Sequence, residues 1–312
     1  MTVADVLSGA ARYHVEQGEA LAFVSSLPDG CCDAVITDPP YPEIDRDYGR
    51  LTEAKWFALM QPLVMECRRV LAPHGSAVFI LQPNSERVGR MRSWLWRFMA
   101  WACDEWNMVQ DCYWWNPAAM PHGPGIRRDI GLMRPSVKAC VWLGMPDCWR
   151  DQDAILWAPS EAVQALDRES RSLRYHPSGA HVDPGRMART VDERGGCTPF
   201  NLWPISNTNS TTSGGAKGHG AATPYDLADG WTRYICKPGG VVLDPFGGAG
   251  TMGAAALRNG RRALLSERHA PYWPILDATM READRAPLTL PFAKPAAPVP
   301  PPVAQVALFG EP

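Results

Sequence analysis

The chain has 312 residues, 46% of them hydrophobic, with 31 basic against 33 acidic side chains. That is enough apolar content for a large α/β core, and the charge is too balanced for a protein that holds nucleic acid by bulk charge alone. Nine cysteines include no C-x-x-C pair, which argues against a disulfide framework, a zinc ribbon or any metal site. The opening "MTVADVLSGAARYHVEQG" has no basic region followed by an apolar run, and no stretch approaches eighteen apolar residues, so a soluble protein of a reducing cytoplasm is expected.

In chain order, 12–17 ("RYHVEQ") and 32–37 ("CDAVIT") read as strands, and "LTEAKWFALMQPLVMECRRVLAPHG" has helical spacing with a Pro-His-Gly stop. A buried strand, "SAVFILQ" (76–82), and a Trp-rich helix within "MRSWLWRFMAWACDEW" (91–106) follow. The 13 tryptophans exceed ordinary packing needs; they are read mainly as core residues, with base stacking as the competing role. Two further β-like runs, "MVQDCYWWN" and "SVKACVWLG", flank the loop "PAAMPHGPGIRRDIGLMRP". Strand and helix alternate, which predicts a doubly wound, mostly parallel sheet covered on both faces.

From about 150 to 220 the periodicity fades into polar sequence ending in "NTNSTTSGGAKGHG", as expected of an inserted module and a loop. Within it, 168–194 has the most basic local balance of the chain, carrying Arg168, Arg171, Arg174, Arg186, Arg189 and Arg194; a solvated ion-paired surface and a nucleic-acid face both fit. Regularity returns with the helical "PYDLADGWTRYICKPG" and a β-loop-α-β unit: strand "VVLD", glycine loop, helix "TMGAAALRNG" and strand "RRALLSE". Residues 286–312 are Pro-rich with few charges and are expected to be a disordered tail.

Two motifs carry chemistry. In "LDPFGGAGTMG" the residues Gly248-Ala249-Gly250-Thr251-Met252-Gly253 match G-x-G-x-x-G where a strand turns into a helix, so a ligand can approach the backbone and a helix N-terminus. Glu267 ends the next strand, placed to bond both hydroxyls of a ribose. No lysine follows the loop, which argues against a P-loop; a nicotinamide or flavin site fits the glycines equally well, and an unliganded turn is the bland alternative. In "AVITDPPYPE" a strand ends in Asp38-Pro39-Pro40-Tyr41, where two prolines remove two donors and stiffen the chain around an acid and a tyrosine.

Taken together, "TDPPY", "VLDPFGGAGTMG" and "SERHAPYW" resemble the S-adenosylmethionine-dependent amino-methyltransferases of DNA. The Asp-Pro-Pro-Tyr edge precedes the cofactor loop, an order similar to the circularly permuted β-class. The resemblance implies a Rossmann-like fold with S-adenosylmethionine held by Asp244, Pro245, Phe246, Gly247, Gly248, Gly250, Thr251 and Glu267, with His219, Thr223 and Glu19 nearby, and chemistry at Asp38, Pro39, Pro40 and Tyr41. Departures are Gly-Gly-Ala-Gly-Thr-Met in place of the common Gly-Ser-Gly-Thr-Thr, and Glu19 where aspartate is more usual. The domain order then reads 1–145 catalytic half, 146–205 target-recognition insertion, 206–285 cofactor half and 286–312 tail.

The exocyclic amine of adenine or cytosine is a poor nucleophile because its lone pair is delocalised. Asp38 is expected to accept one N–H and the Pro39 carbonyl the other, freeing the lone pair for in-line attack on a sulfonium methyl. The base must be flipped from double-stranded DNA, and Tyr41 is placed to stack on it. No cysteine follows a proline, which argues against cytosine carbon-5 methylation. Asp at the first motif position resembles the adenine-N6 members of the family, whereas the cytosine-N4 members more often carry Ser, so the resemblance implies adenine N6; cytosine N4 is the alternative, and a non-catalytic DNA-binding protein on the same fold a further one. Arg171, Arg174, Arg186 and Arg189 are candidate DNA contacts. The resemblance also implies a bacterial or phage-encoded cytoplasmic protein of a class in which homodimers are common. Gln305, Leu308 and Phe309 form a Q-x-x-L-F pattern resembling the peptide that docks bacterial replication proteins on the sliding clamp.

Overall fold

Short β-branched runs separated by amphipathic segments assemble into one eight-stranded sheet in the computed structural model, which describes residues 1–46, 49–118, 131–133, 135–175, 181–207 and 223–288. His219, the tail residues Gln305, Leu308 and Phe309, most of the 117–135 loop and the side chain of Arg174 lie outside the described residues. The strands are β1 (Tyr13–Gln17), β2 (Cys32–Thr37), β3 (Leu71–Leu81), β4 (Met108–Trp115), β5 (Val137–Gly144), β6 (Leu202–Pro204), β7 (Val241–Asp244) and β8 (Arg262–Glu267). Their spatial order is β1-β8-β7-β2-β3-β5-β4-β6, parallel throughout except where β5 runs antiparallel to β3 and β4. The helices are α1 (Val3–Ser8), α2 (Ala20–Ser26), α3 (Glu53–Val70), α4 (Trp94–Glu105), α5 (Glu161–Gln164), α6 (Pro184–Arg194), α7 (Tyr225–Ile235), α8 (Thr251–Arg258) and α9 (Trp273–Arg285). No described helix is long and apolar enough to cross a membrane.

By compactness the described chain divides into two units, one made of residues 1–151 and 201–288, the other of Gln152–Phe200. The sheet belongs to the first. Its strand β6 lies inside the stretch expected as an insertion, pairing in parallel with β4 through Leu202 and Tyr113. The second unit holds α5, α6 and a small antiparallel pair, Arg174–Tyr175 with His181–Val182. Its α6 starts at Asp183, whose carboxylate accepts the Arg186 N–H at 2.9 Å, and stops at Gly195 in the left-handed region.

Helix α3 shows why these segments fold as they do. Thr52 caps it by accepting the Lys55 N–H, and Trp56, Met60, Leu63, Val64, Cys67 and Val70 recur at helical spacing to form its buried face. The helix gives way directly to β3 at Leu71, earlier than the 76–82 strand expected from sequence. The intervening residues form an irregularity: Cys32 is opposite Leu71, but Ala34 is opposite Ser76. Aromatic packing fixes the same face, with the Trp56 ring meeting Trp94 at 4.8 Å and Phe98 at 5.1 Å, both edge-on. Trp56, Trp94, Trp114, Trp142 and Trp231 are all fully buried, so these tryptophans serve packing.

The sheet order closes the long sequence gap between the two motifs. Strands β2 and β7 lie side by side and parallel, with Leu243 opposite Val35, so the segments leaving their carboxyl ends emerge together. The pairing is reinforced at its start by Asp33, whose carboxylate accepts the Val241 N–H at 2.8 Å and faces Lys237 at 3.0 Å. At its end the Thr37 hydroxyl donates to Asp244 Oδ1 at 2.7 Å across 207 residues of sequence. Strand β8 brings Glu267 alongside Gln17 of β1, which places Gly18 and Glu19 at the same edge.

Candidate active site

A cleft of about 340 Å³ opens at the carboxyl ends of these strands. It is the position where open parallel sheets place ligands, between loops that leave adjacent strands toward opposite sides. Asp38, Pro39, Pro40, Tyr41, Thr223, Glu19, Asp244, Pro245, Phe246, Gly247, Gly248, Thr251 and Glu267 all line it. Both motifs therefore share one cavity. Gly250 stands just behind as the N-cap of α8, and Lys138, Arg268, His269 and Tyr272 join the lining.

The Asp38–Tyr41 edge is held from below. The Trp56 indole donates to the Pro40 carbonyl at 2.7 Å, and Asn84 donates to the Pro42 carbonyl at 2.7 Å while accepting from Trp94. The aromatic core thus fixes the turn whose own prolines already restrict it. Asp38 Oδ1 accepts the Tyr41 hydroxyl, and Oδ2 accepts the Thr223 hydroxyl at 2.9 Å, with the Lys138 ammonium at 3.5 Å. Thr223, expected from sequence beside the cofactor, contacts Asp38 instead. Tyr41 is only 9% exposed, and Lys138 lies over its ring at 5.3 Å.

The glycine loop is shaped by close packing. Gly250 has φ of +83°, and an added Cβ there would lie 2.9 Å from Leu276; at Gly253 it would lie 2.7 Å from the Met280 sulfur and 2.9 Å from Leu265. The loop and β8 are joined by Glu267, whose carboxylate accepts the Gly248 N–H at 2.8 Å and the His269 N–H at 2.5 Å. Glu267 therefore organises the loop as well as facing the cleft, a use that its position at a strand end does not reveal. Glu19 is exposed and sits 3.5 Å from Arg268.

Asp244 is 3% exposed, and burial pushes its carboxyl up to about 7, against the lowering effect of the Thr37 hydroxyl and the Phe246 N–H. Because this folded-state value is above the ordinary 3.8, the folded protein binds the extra proton. Wild-type stability relative to Asp244→Asn is then greatest near pH 4, falls as pH rises toward 7 and levels off above it. Melting temperatures of the two proteins between pH 4 and 8 check this; a constant difference contradicts it.

In the second unit, the arginine-rich stretch is partly committed to its own structure. Arg168 pairs with Asp192 at 3.0 Å, Arg194 with Asp153 at 2.5 Å, and Arg189 donates to the backbone carbonyls of Arg168 and Ser170. Arg171 and Arg186 are exposed.

Sequence reasoning missed Lys138, a single charge near the start of an otherwise apolar strand, and the supporting pair Trp56 and Asn84. A charge interrupting "SVKACVWLG" was the available signal for the first.

A mostly parallel α/β sheet with an acid-proline-proline-tyrosine edge and a glycine loop in one cleft defines a methyltransferase-type architecture. The chain belongs to the N6/N4 DNA methylase family, whose model matches residues 32–277. It is a DNA methyltransferase of that family. It is 25% identical over 271 residues to the type II methyltransferase M.PvuII of Proteus hauseri, covering 82% of this chain and 80% of that protein. Among solved structures it is similar to the PvuII DNA methyltransferase described as cytosine-N4-specific, with a TM-score of 0.63, 20% identity and 86% of each chain covered. It is also similar to TTHA0409 of Thermus thermophilus, solved in complex with S-adenosyl-L-methionine. There the TM-score is 0.55, the identity 19%, and the coverage 88% of this chain and 97% of that one.

Proposed function

We propose that this chain methylates the exocyclic N6 of an adenine flipped out of double-stranded DNA, with S-adenosylmethionine as methyl donor. The observation that carries this reading is the shared cleft: Asp38, aimed by Tyr41 and Thr223, stands in the same cavity as the glycine loop and Glu267. The residues present suit the donor. The cavity combines apolar walls from Phe246 and Met252 with carboxylates of Glu19 and Glu267, matching a ligand that has an adenosine part and a cationic sulfonium.

Glu267 and the Gly247–Gly248 backbone would hold that group, which supplies an electrophilic methyl. The chain's own residues do the rest. Asp38 accepts one N–H of the target amine and the Pro39 carbonyl the other, drawing the nitrogen lone pair out of conjugation and aiming it. Proline at 39 and 40 leaves no backbone donor to compete for that carboxylate. Extruding the base costs a few kcal/mol, which contacts in the cleft must offset. Arg171 and Arg186, exposed in the second unit, suit phosphate contacts that position the duplex.

Asp38 at the first motif position supports adenine. A second reading, cytosine N4, is favoured by the similarity to the PvuII enzyme described as cytosine-N4-specific. Sequencing that detects modified bases, run on DNA from cells expressing the chain, tests both: N6-methyladenine at one recurrent sequence is expected, and N4-methylcytosine there overturns the adenine assignment.

A further inference from the structure

Lys138 is the feature of the cleft that the roles above leave unused. It lies near the start of β5, the strand antiparallel to β3, so its side chain reaches the end of β2 across the end of β3. Its ammonium is 3.0 Å from the Tyr41 hydroxyl and 3.5 Å from Asp38 Oδ2, and it lies over the rings of Tyr41 at 5.3 Å and Trp114 at 4.6 Å. Trp114 is buried and its indole donates to the Ile205 carbonyl at 2.7 Å, so this face is rigid. The lysine side chain is mostly buried yet lines the cleft.

A fixed acceptor, Asp38 Oδ2, therefore stands beside a fixed donor, Lys138 Nζ. This is the complement of one particular base edge. Adenine and cytosine each present an amino donor next to a ring-nitrogen acceptor on the Watson–Crick edge, whereas guanine and thymine present a carbonyl acceptor next to a ring N–H. We infer that Lys138 is a specificity-determining residue that donates to the ring nitrogen adjoining the target amine, N1 of adenine or N3 of cytosine, while Asp38 accepts from the amine. In this arrangement the amine N–H takes over the long Lys138 contact on Oδ2. The ammonium keeps its bond to Tyr41 and turns a second N–H to the ring. A base of the reversed pattern would set a carbonyl against the carboxylate and an N–H against the ammonium, and both contacts are repulsive.

The inference rests on the proposed target chemistry, and a substrate change separates the two. Duplexes are compared that differ only at the target base, which is either the natural base or its analogue with the ring nitrogen replaced by C–H, 1-deazaadenine or 3-deazacytosine. Both analogues keep the exocyclic amine. The wild-type enzyme should lose about 10- to 100-fold more in kcat/KM on the analogue than Lys138→Met does, the range of a hydrogen bond from a charged donor. Lys138→Gln, which keeps a neutral donor, should fall between them. Any intrinsic effect of the analogue on the amine appears in all three enzymes and cancels. Equal losses in the wild-type enzyme and both variants overturn the role of Lys138. Undiminished turnover of natural DNA by Asp38→Ala overturns the underlying mechanism instead.

Discussion

Asp38→Ala should lower kcat for methyl transfer by about 10²–10³-fold or more while leaving the dissociation constant for S-adenosylmethionine within about twofold. The separation follows from where Asp38 points. Its carboxylate binds Tyr41 and Thr223 and faces Lys138, and among the described residues none of its hydrogen bonds goes to the glycine loop or Glu267. Loss of the acceptor removes the group that pulls the amine out of conjugation, but the loop keeps its own support from Glu267 and from the packing of α8 on α9. Asp38→Asn should retain part of the activity, because one amide oxygen still accepts. Methyl transfer and cofactor titration on the same preparations read both quantities; comparable loss of both would mean that Asp38 shapes the cofactor site rather than the amine.

Glu267→Ala should show the converse pattern, with cofactor affinity weakened by about 10- to 100-fold. Two effects add. The carboxylate at the end of β8 is lost from the cavity, and the Gly248 and His269 N–H groups that it satisfies are left without their acceptor, each such loss costing about 1–3 kcal/mol when buried. The loop should therefore loosen as well, lowering the melting temperature. Glu267→Gln, with one acceptor oxygen in place of two, should be intermediate in both. Isothermal titration with S-adenosylmethionine checks the affinity, and an unchanged value removes Glu267 from cofactor binding.

Much of the sheet is legible in the sequence. The strands β2, β7 and β8 are short, largely apolar runs that end at or beside an acid, the more polar β1 stops before Gly18, and those ends coincide with the ends of the hydrogen-bonded ladders. Strand β6 was hidden because three residues ending in proline, within polar sequence, carry no periodicity; its place is decided by β4, which lies far earlier in the chain. The premature start of β3 has a similar cause, since Pro73-His74-Gly75 reads as a stop although the ladder resumes around it.

The candidate site divides along the same line. The acid edge and glycine loop could be named from sequence because each is a contiguous motif at a strand end. Their meeting depends on the parallel pairing of β2 with β7, which the Thr37–Asp244 hydrogen bond closes at the carboxyl ends and which neither motif reveals by itself. Thr223 was expected beside the cofactor, and its bond to Asp38 follows from the placement of the α7 N-terminus, whereas Lys138 arrives on β5 from a segment with no motif of its own. Glu267 was legible as an acid ending a strand beside the glycine loop, but its hold on two backbone N–H groups depends on how the loop folds over it.

If the cleft aims an exocyclic amine at a methyl group, the position of the transferred methyl shows it: purified protein and its Asp38→Ala variant are incubated with duplex DNA and S-adenosylmethionine carrying a labelled methyl. The DNA is then digested to nucleosides, and the labelled product is separated. The wild-type protein should place the label on an exocyclic nitrogen, as N6-methyladenine, and the variant should place almost none. Label on cytosine carbon-5, or equal labelling by the two proteins, would contradict the account.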